Sequence, residues 1–250
     1  MKNLIVIAPV LLMLIAAASA ADVAPATAPT APRVRVLILT GLEYPGHKWQ
    51  QTAPLLAEII GKDRRMEVAV QEDPAYLASP QLHEYQAMVL HYMNWQKPDP
   101  GEAARRNLQQ FVAGGKGLVL VHFACGAFQG WDEFRKIAGR VWDPRLRGHD
   151  PHGKFTVRII DSEHPVTAGL KDFETVDELY TCLAGDAPIR ILASATSKVD
   201  RKDYPMAFVL NYGRGRIFHC VLGHDPAALG AEGVQALYRR GTAWAAGLEP

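Results

Sequence analysis

The sequence predicts an α/β fold, a parallel sheet flanked by helices, with a partly antiparallel annex towards the C-terminus. Three observations predict it. From residue 33 onward, short apolar runs alternate with stretches of helical periodicity. The early runs are almost unbroken in their apolar character, as strands buried on both faces must be. Beyond Gly139 the alternation stops, and strand-like runs follow one another across loops.

Lys2, the apolar stretch over residues 4–17 and the small-residue triplet Ala18-Ser19-Ala20 make the pattern of a cleavable signal peptide over residues 1–20. A retained anchor is the competing reading, but the run is short for the roughly 20 residues that a span requires. The mature chain is expected to start near Ala21, secreted or periplasmic and free of the membrane. Residues 21–32, rich in Ala, Thr and Pro, read as a flexible tether, and residues 33–250 as a single domain.

Strands are expected over residues 34–40, 66–71, 87–91 and 118–122, and helices over 47–60, 102–112 and 131–138. Gly114-Gly115 closes the second helix and Gly139 the third. In the annex, residues 155–160, 189–193, 206–211 and 216–222 read as strands. Asn211-Tyr212-Gly213-Arg214-Gly215 supplies hairpin chemistry between the last two. A final helix over 233–246 carries Val234, Leu237, Tyr238, Gly241 and Trp244 on one stripe.

Charge narrows the partners. The 27 basic and 26 acidic side chains nearly cancel, which argues against a non-specific grip on nucleic acid. Cys125, Cys182 and Cys220 show no CxxC spacing, so neither a disulfide framework nor a cysteine-rich zinc site is implied.

Ligands of parallel sheets bind beyond the carboxyl ends of the strands. His47 and His224 follow predicted strand ends, and His91 and His122 are themselves the last residues of predicted strands, positions where imidazoles serve as acids, bases or metal ligands. Singly, each reads equally well as a hydrogen-bonded core residue. Thr40-Gly41 to Gly46-His47 lacks the lysine and Ser/Thr of a phosphate loop, so Gly41 is expected to bring backbone close to a ligand of another kind. In His122-Phe123-Ala124-Cys125-Gly126 the strand ends on His122, and Cys125 reads as a small buried thiol more readily than as a nucleophile. The segment Arg147-Gly148-His149-Asp150-Pro151-His152 reads as a polar loop that either holds a divalent ion or is simply solvated. Asp177 and Glu178 are adjacent, so in an extended chain only one of them can reach a shared site. Trp49, Trp95 and Trp131 fall near strand ends, where they stack on a sugar ring or pack in the core.

Thr40-Gly41 with His47, Gly114-Gly115 before the strand ending in His122, Trp131 with Phe134 and Gly139, His149, His164-Pro165, Asp177-Glu178-Leu179-Tyr180, the turn from Gly213 to Arg216 and Gly223-His224-Asp225 stand in this order in the chain. The ordered set resembles the ThuA-like, trehalose-utilisation family over residues 33–247. The resemblance implies a flavodoxin-like sheet of the class I glutamine amidotransferase-like type. It also implies a role in disaccharide breakdown, with acid/base cleavage or isomerisation of a 3-keto glycoside such as one derived from trehalose. The amidotransferase nucleophile is missing, since His122 stands at the elbow.

On this reading His47, His122, Glu178 and His224 are catalytic, with His122 or His47 as base and Glu178 as acid. Gly41, Trp49, Trp131, His149, Asp177 and Tyr180 touch the carbohydrate. No cofactor is required, although His47, His122, His149 and His224 could hold zinc or a similar divalent ion. Two rivals remain open: a secreted sugar-binding module without turnover, and a redox or stress protein using Cys125. The expected partner is a small carbohydrate, and a homo-oligomer is left open.

Overall fold

The computed structural model describes residues 33–95 and 97–250, so the expected signal peptide (1–20) and the whole of the expected tether (21–32) lie outside the described residues. The parallel half comprises β1 (Val34–Leu39), α1 (Trp49–Gly61), β2 (Met66–Gln71), β3 (Ala87–Leu90), α2 (Glu102–Ala113), β4 (Gly117–Val121) and α3 (Asp132–Ala138). The annex adds β5 (Gly153–Ile159), β6 (Phe173–Asp177), β7 (Arg190–Thr196), β8 (Asp203–Tyr212) and β9 (Gly215–Cys220), followed by α4 (Pro226–Gly230) and α5 (Glu232–Ala245). All nine strands form one sheet, in the order β2-β1-β3-β4-β9-β8-β7-β5-β6.

The α/β expectation holds, with two corrections. β9 does not belong to the annex alone: it pairs parallel with β4 and antiparallel with β8, and so joins the two halves. β6 was not expected as a strand. It runs antiparallel to β5, with Gly153 opposite Asp177, and forms the sheet edge. Among the described residues no helix is long and apolar enough to cross a membrane.

The period of two along each central strand divides the core in half. Val36 and Ile38 of β1 pack with Leu56, Ile59 and Ile60 of α1 and with Leu237 and Tyr238 of α5. Leu37 and Leu39, one residue out of phase, pack with Leu108 and Phe111 of α2 and Phe134 of α3. Each such side chain, fully buried, stabilises the fold by roughly 1.5–3 kcal/mol. The two faces together bring the ends of β1, β3, β4 and β9 to one rim. Because β1 pairs with both β2 and β3, the strand order reverses there and opens a crevice.

One buried imidazole on β9, one residue short of that rim, contributes to the acid sensitivity of the fold. His219 on β9 is fully buried, with Nδ1 2.9 Å from the Ala138 carbonyl oxygen. Burial, its chief influence, lowers its pKa from 6.5 to about 4. The unfolded chain therefore takes up this proton first as pH falls. The stability that the neutral ring contributes is lost between about pH 6.5 and pH 4, to the extent of about 3 kcal/mol. His219→Gln is expected to lose correspondingly less stability than the wild type between about pH 7 and pH 4 in urea denaturation. Equal losses in the two proteins would count against this assignment.

Candidate active site

Four segments deliver the site. His47 lies in the loop between β1 and α1, its N–H donating to the Tyr44 carbonyl at 3.0 Å, and α1 starts only at Trp49 rather than at His47. His122 opens the turn after β4 with φ +44°, a left-handed backbone that a non-glycine residue adopts at a cost of order 1–3 kcal/mol. Glu178 directly follows β6. His224 follows β9 through Gly223, whose φ of +108° suits glycine.

These four side chains meet. The His47 ring stacks on Phe123 at 4.4 Å and stands edge-on to His122 at 5.0 Å and His224 at 4.8 Å. The Glu178 carboxylate is their hub, with Oε2 3.2 Å from His224 Nδ1 and 3.5 Å from His122 Nε2, and Oε1 3.7 Å from His149 Nε2. One ligand-type atom from each of His47, His122, Glu178 and His224 lies within 4.8 Å of the other three. His149 is outside that set. The expected metal ligands His47, His122 and His224 are thus brought together, while Glu178 stands where His149 was expected.

Asp177 and Glu178 divide their work as adjacent residues of an extended chain must. Glu178 enters the site, whereas Asp177 is fully buried behind it and does not line the cavity. The Asp177 carboxylate accepts from three backbone N–H groups: Gly223 at 2.6 Å, Glu178 at 2.7 Å and His224 at 3.2 Å. It holds the chain on both sides of the cluster and is no sugar ligand.

Environment drives the ionisable groups apart. Burial, helped by the neighbouring His122 and His224, lowers the His47 pKa to about 2, so its imidazole is neutral. Burial works against an ionised Glu178, but the contacts with His122 and His224 together outweigh it and hold the carboxyl below the ordinary range. Contact with Glu178 in turn raises the pKa of His224. Glu178 is therefore an anion, which overturns its expected role as the acid.

A cavity of about 160 Å³ opens on this cluster. His47, His149, Glu178 and His224 line it, together with the rings of Tyr44, Trp95, Trp142 and Tyr180. Two glycines let the indoles approach the backbone: a Cβ at Gly126 would lie 2.7 Å from Trp95 Nε1, and one at Gly148 would lie 1.7 Å from the Trp142 ring. His122, fully buried, sits behind the lining rather than in it.

Several expected residues do not join the site. His91 is a satisfied core residue, with its ring nitrogens 3.0 Å from Thr40 Oγ1 and 3.1 Å from Thr52 Oγ1. Gly41 (φ +110°) serves a close approach of chain to chain, since a Cβ there would fall 1.6 Å from the Glu72 carbonyl oxygen. Trp49 begins α1 and does not line the cavity. Trp131 stacks with Phe134 and lines a separate, smaller hollow. The loop around His149 is not simply solvated: Asp150 is buried and accepts from Ser197 Oγ at 2.9 Å and the Lys198 N–H at 2.8 Å. Cys125 does reach the cavity wall, but it is fully buried, and burial raises its thiol to about 12, which works against the thiolate that redox chemistry requires. Trp142 and Tyr44, unremarked in the sequence, carry no periodic signal. The only hint of Trp142 was a glycine six positions on.

The family model described as ThuA, trehalose utilisation, matches residues 35–245. Among solved structures, a ThuA-like protein from Parabacteroides merdae is similar with a TM-score of 0.75 and 28% identity, over 87% of this chain and 91% of that one. A ThuA-like protein from Bacteroides uniformis follows with a TM-score of 0.70 and 20% identity, over 88% and 94%. A β-galactosidase from Bacillus circulans shares the fold at a TM-score of 0.59 and 11% identity, over 87% of this chain but 32% of its own. No curated protein matches.

Proposed function

The chain belongs to the ThuA family of trehalose utilisation, which places it in carbohydrate metabolism, and from that premise we propose that it cleaves a 3-keto glycoside by proton transfer. The observation that carries this reading is the Glu178 carboxylate, ringed by imidazoles in a cavity walled by aromatic rings. A 3-keto group acidifies the C–H at the neighbouring C2. Glu178 takes that proton, the C–H electron pair becomes the C1–C2 double bond, and the C1–O bond breaks. The departing oxygen takes a proton from His149. His149 Nδ1 lies 2.7 Å from the Asp150 carbonyl oxygen, so the ring donates there and leaves Nε2, 3.7 Å from Glu178, to exchange protons with the cavity.

Size and lining suit one sugar ring. The cavity is smaller than the roughly 300–1,000 Å³ pockets that enclose drug-sized ligands, so the second ring of a disaccharide lies outside it. Trp142 offers an apolar face to the ring inside. Gly148→Ala, which pushes that indole out of place, is expected to raise KM by about 3- to 10-fold with little change in kcat. A fall in kcat at constant KM would remove Trp142 from substrate binding.

For the compartment we propose export. Lys2, the apolar run and Ala18-Ser19-Ala20 support it, and N-terminal sequencing of exported protein should begin near Ala21.

The deciding experiment incubates the protein with trehalose and with its 3-keto derivative and follows products by mass spectrometry. Release of glucose from the keto sugar alone is expected. Binding of either sugar without product would make the protein a sugar-binding module instead.

A further inference from the structure

We propose that His47, His122, Glu178 and His224 bind a divalent first-row metal ion of the zinc type on the wall of the cavity. This deepens the reading of the site given above and rests on the same cluster. The donor spacing already suits an ion. Donors bound at 2.0–2.1 Å in a tetrahedron are about 3.3 Å apart. Glu178 Oε2 already lies 3.2 Å from His224 Nδ1 and 3.5 Å from His122 Nε2, and every pair in the set lies within 4.8 Å.

The imidazole nitrogens also lack partners. His47 Nδ1, His122 Nε2 and His224 Nδ1 are buried and have no hydrogen-bond partner among the described residues. The short contacts of the latter two with Glu178 do not have hydrogen-bond geometry. Three such atoms around one point are costly unless something fills that point, because buried polar groups are otherwise almost always paired. A cation does so, accepting three lone pairs and balancing one carboxylate.

Neighbouring groups hold the ligands in place. His122 Nδ1 lies 2.7 Å from the Val221 carbonyl oxygen, to which it can only donate, so its proton is on Nδ1 and Nε2 presents a bare lone pair to the cluster. The Asp177 carboxylate binds the backbone N–H groups of both Glu178 and His224, fixing two ligands from strands distant in the chain with one group. Three nitrogens and one oxygen suit zinc, iron, cobalt or nickel. The absence of thiolate in the set disfavours copper(I), and a single carboxylate is too little for calcium or magnesium. His47, Glu178 and His224 line the cavity, so a keto or hydroxyl oxygen of the sugar could reach a bound ion only as a fifth ligand. Glu178 Oε1, which faces His149, remains free for proton transfer when Oε2 binds the ion.

The test uses the purified full chain, analysed for metals as isolated, then stripped with chelator and titrated with Zn2+ by calorimetry and with Co2+ by visible absorption. One ion per chain is expected, with Co2+ showing the d–d bands of a low-symmetry nitrogen–oxygen site. His47→Ala and His224→Ala are expected to weaken Zn2+ binding at least about 100-fold, whereas His149→Ala, in the same cavity but outside the set, binds Zn2+ as the wild type does. Circular dichroism of the stripped variants reports their folding independently. Failure of folded, stripped protein to take up either ion, or uptake that both alanine variants leave unchanged, overturns the proposal. The two readings fail separately. A bound ion without product from the keto sugar removes the reaction and keeps the site, and turnover by a folded protein that takes up neither ion removes the site and keeps the reaction.

Discussion

Glu178→Gln is expected to lower kcat on a 3-keto glycoside by about two to four orders of magnitude, with KM changed far less and the fold intact. Glutamine keeps the volume and the oxygen but not the charge, and the charge is what the site is arranged around. His122, His149 and His224 approach this one carboxylate from three sides, and the first and last of these outweigh its burial to keep it ionised. An amide can neither accept the C2 proton nor balance a cation as a carboxylate does. Some of the stability that the ionised carboxylate draws from His122 and His224 goes with the charge, but the backbone N–H of residue 178 stays tied to Asp177, so the variant should still fold. Single-turnover measurements on the variant check the chemical step, and a urea midpoint checks the fold. Wild-type kcat in a folded Gln variant would eliminate Glu178 as the base.

The parallel half of the fold was legible because buried parallel strands write themselves as nearly unbroken apolar runs between amphipathic helices, and residues 34–40, Arg35 apart, 87–90 and 118–121 do so, while the edge strand at 66–71 carries Glu67 and Gln71. β6 was not. Phe173–Asp177 carries Glu174, Thr175 and Asp177 in five residues and lies at the sheet edge, paired on one side only, so its pattern is not that of a core strand. Nor does a local pattern say which strands become neighbours, which is why β9 was assigned wholly to the annex. In the site, strand ends marked His47, His122 and His224. The same rule wrongly included His91, because nothing local shows that the Thr40 and Thr52 hydroxyls close on its ring. Alternation showed that only one of Asp177 and Glu178 could enter the site. Which one entered depended on the register of β6 with β5, a contact between distant segments.

That register also places the Asp177 carboxylate where it ties the ends of β6 and β9 together. Asp177→Ala is expected to destabilise the protein by about 3 kcal/mol or more, a large part of the roughly 5–15 kcal/mol that holds a domain together, and to abolish turnover at temperatures where the variant is still folded. The side chain is fully buried, and burial raises its pKa against the opposing pull of His122 and the three N–H donors. Removing it leaves the N–H groups of Gly223, Glu178 and His224 without their acceptor in a buried setting, each at about 1–3 kcal/mol. It also frees the two segments that carry the hub carboxylate and one of its imidazoles. Asp177→Asn separates the two consequences. One amide oxygen still accepts, so much of the stability should return, but the NH2 group now faces a backbone donor, so the geometry at Glu178 and His224 should not. The Asn variant should therefore unfold closer to the wild type in urea than the Ala variant does, yet show a kcat reduced at least about 10-fold and weakened Zn2+ binding. Full activity and full metal affinity in a folded Asn variant would mean that Asp177 supports the strand ends alone and does not position the site.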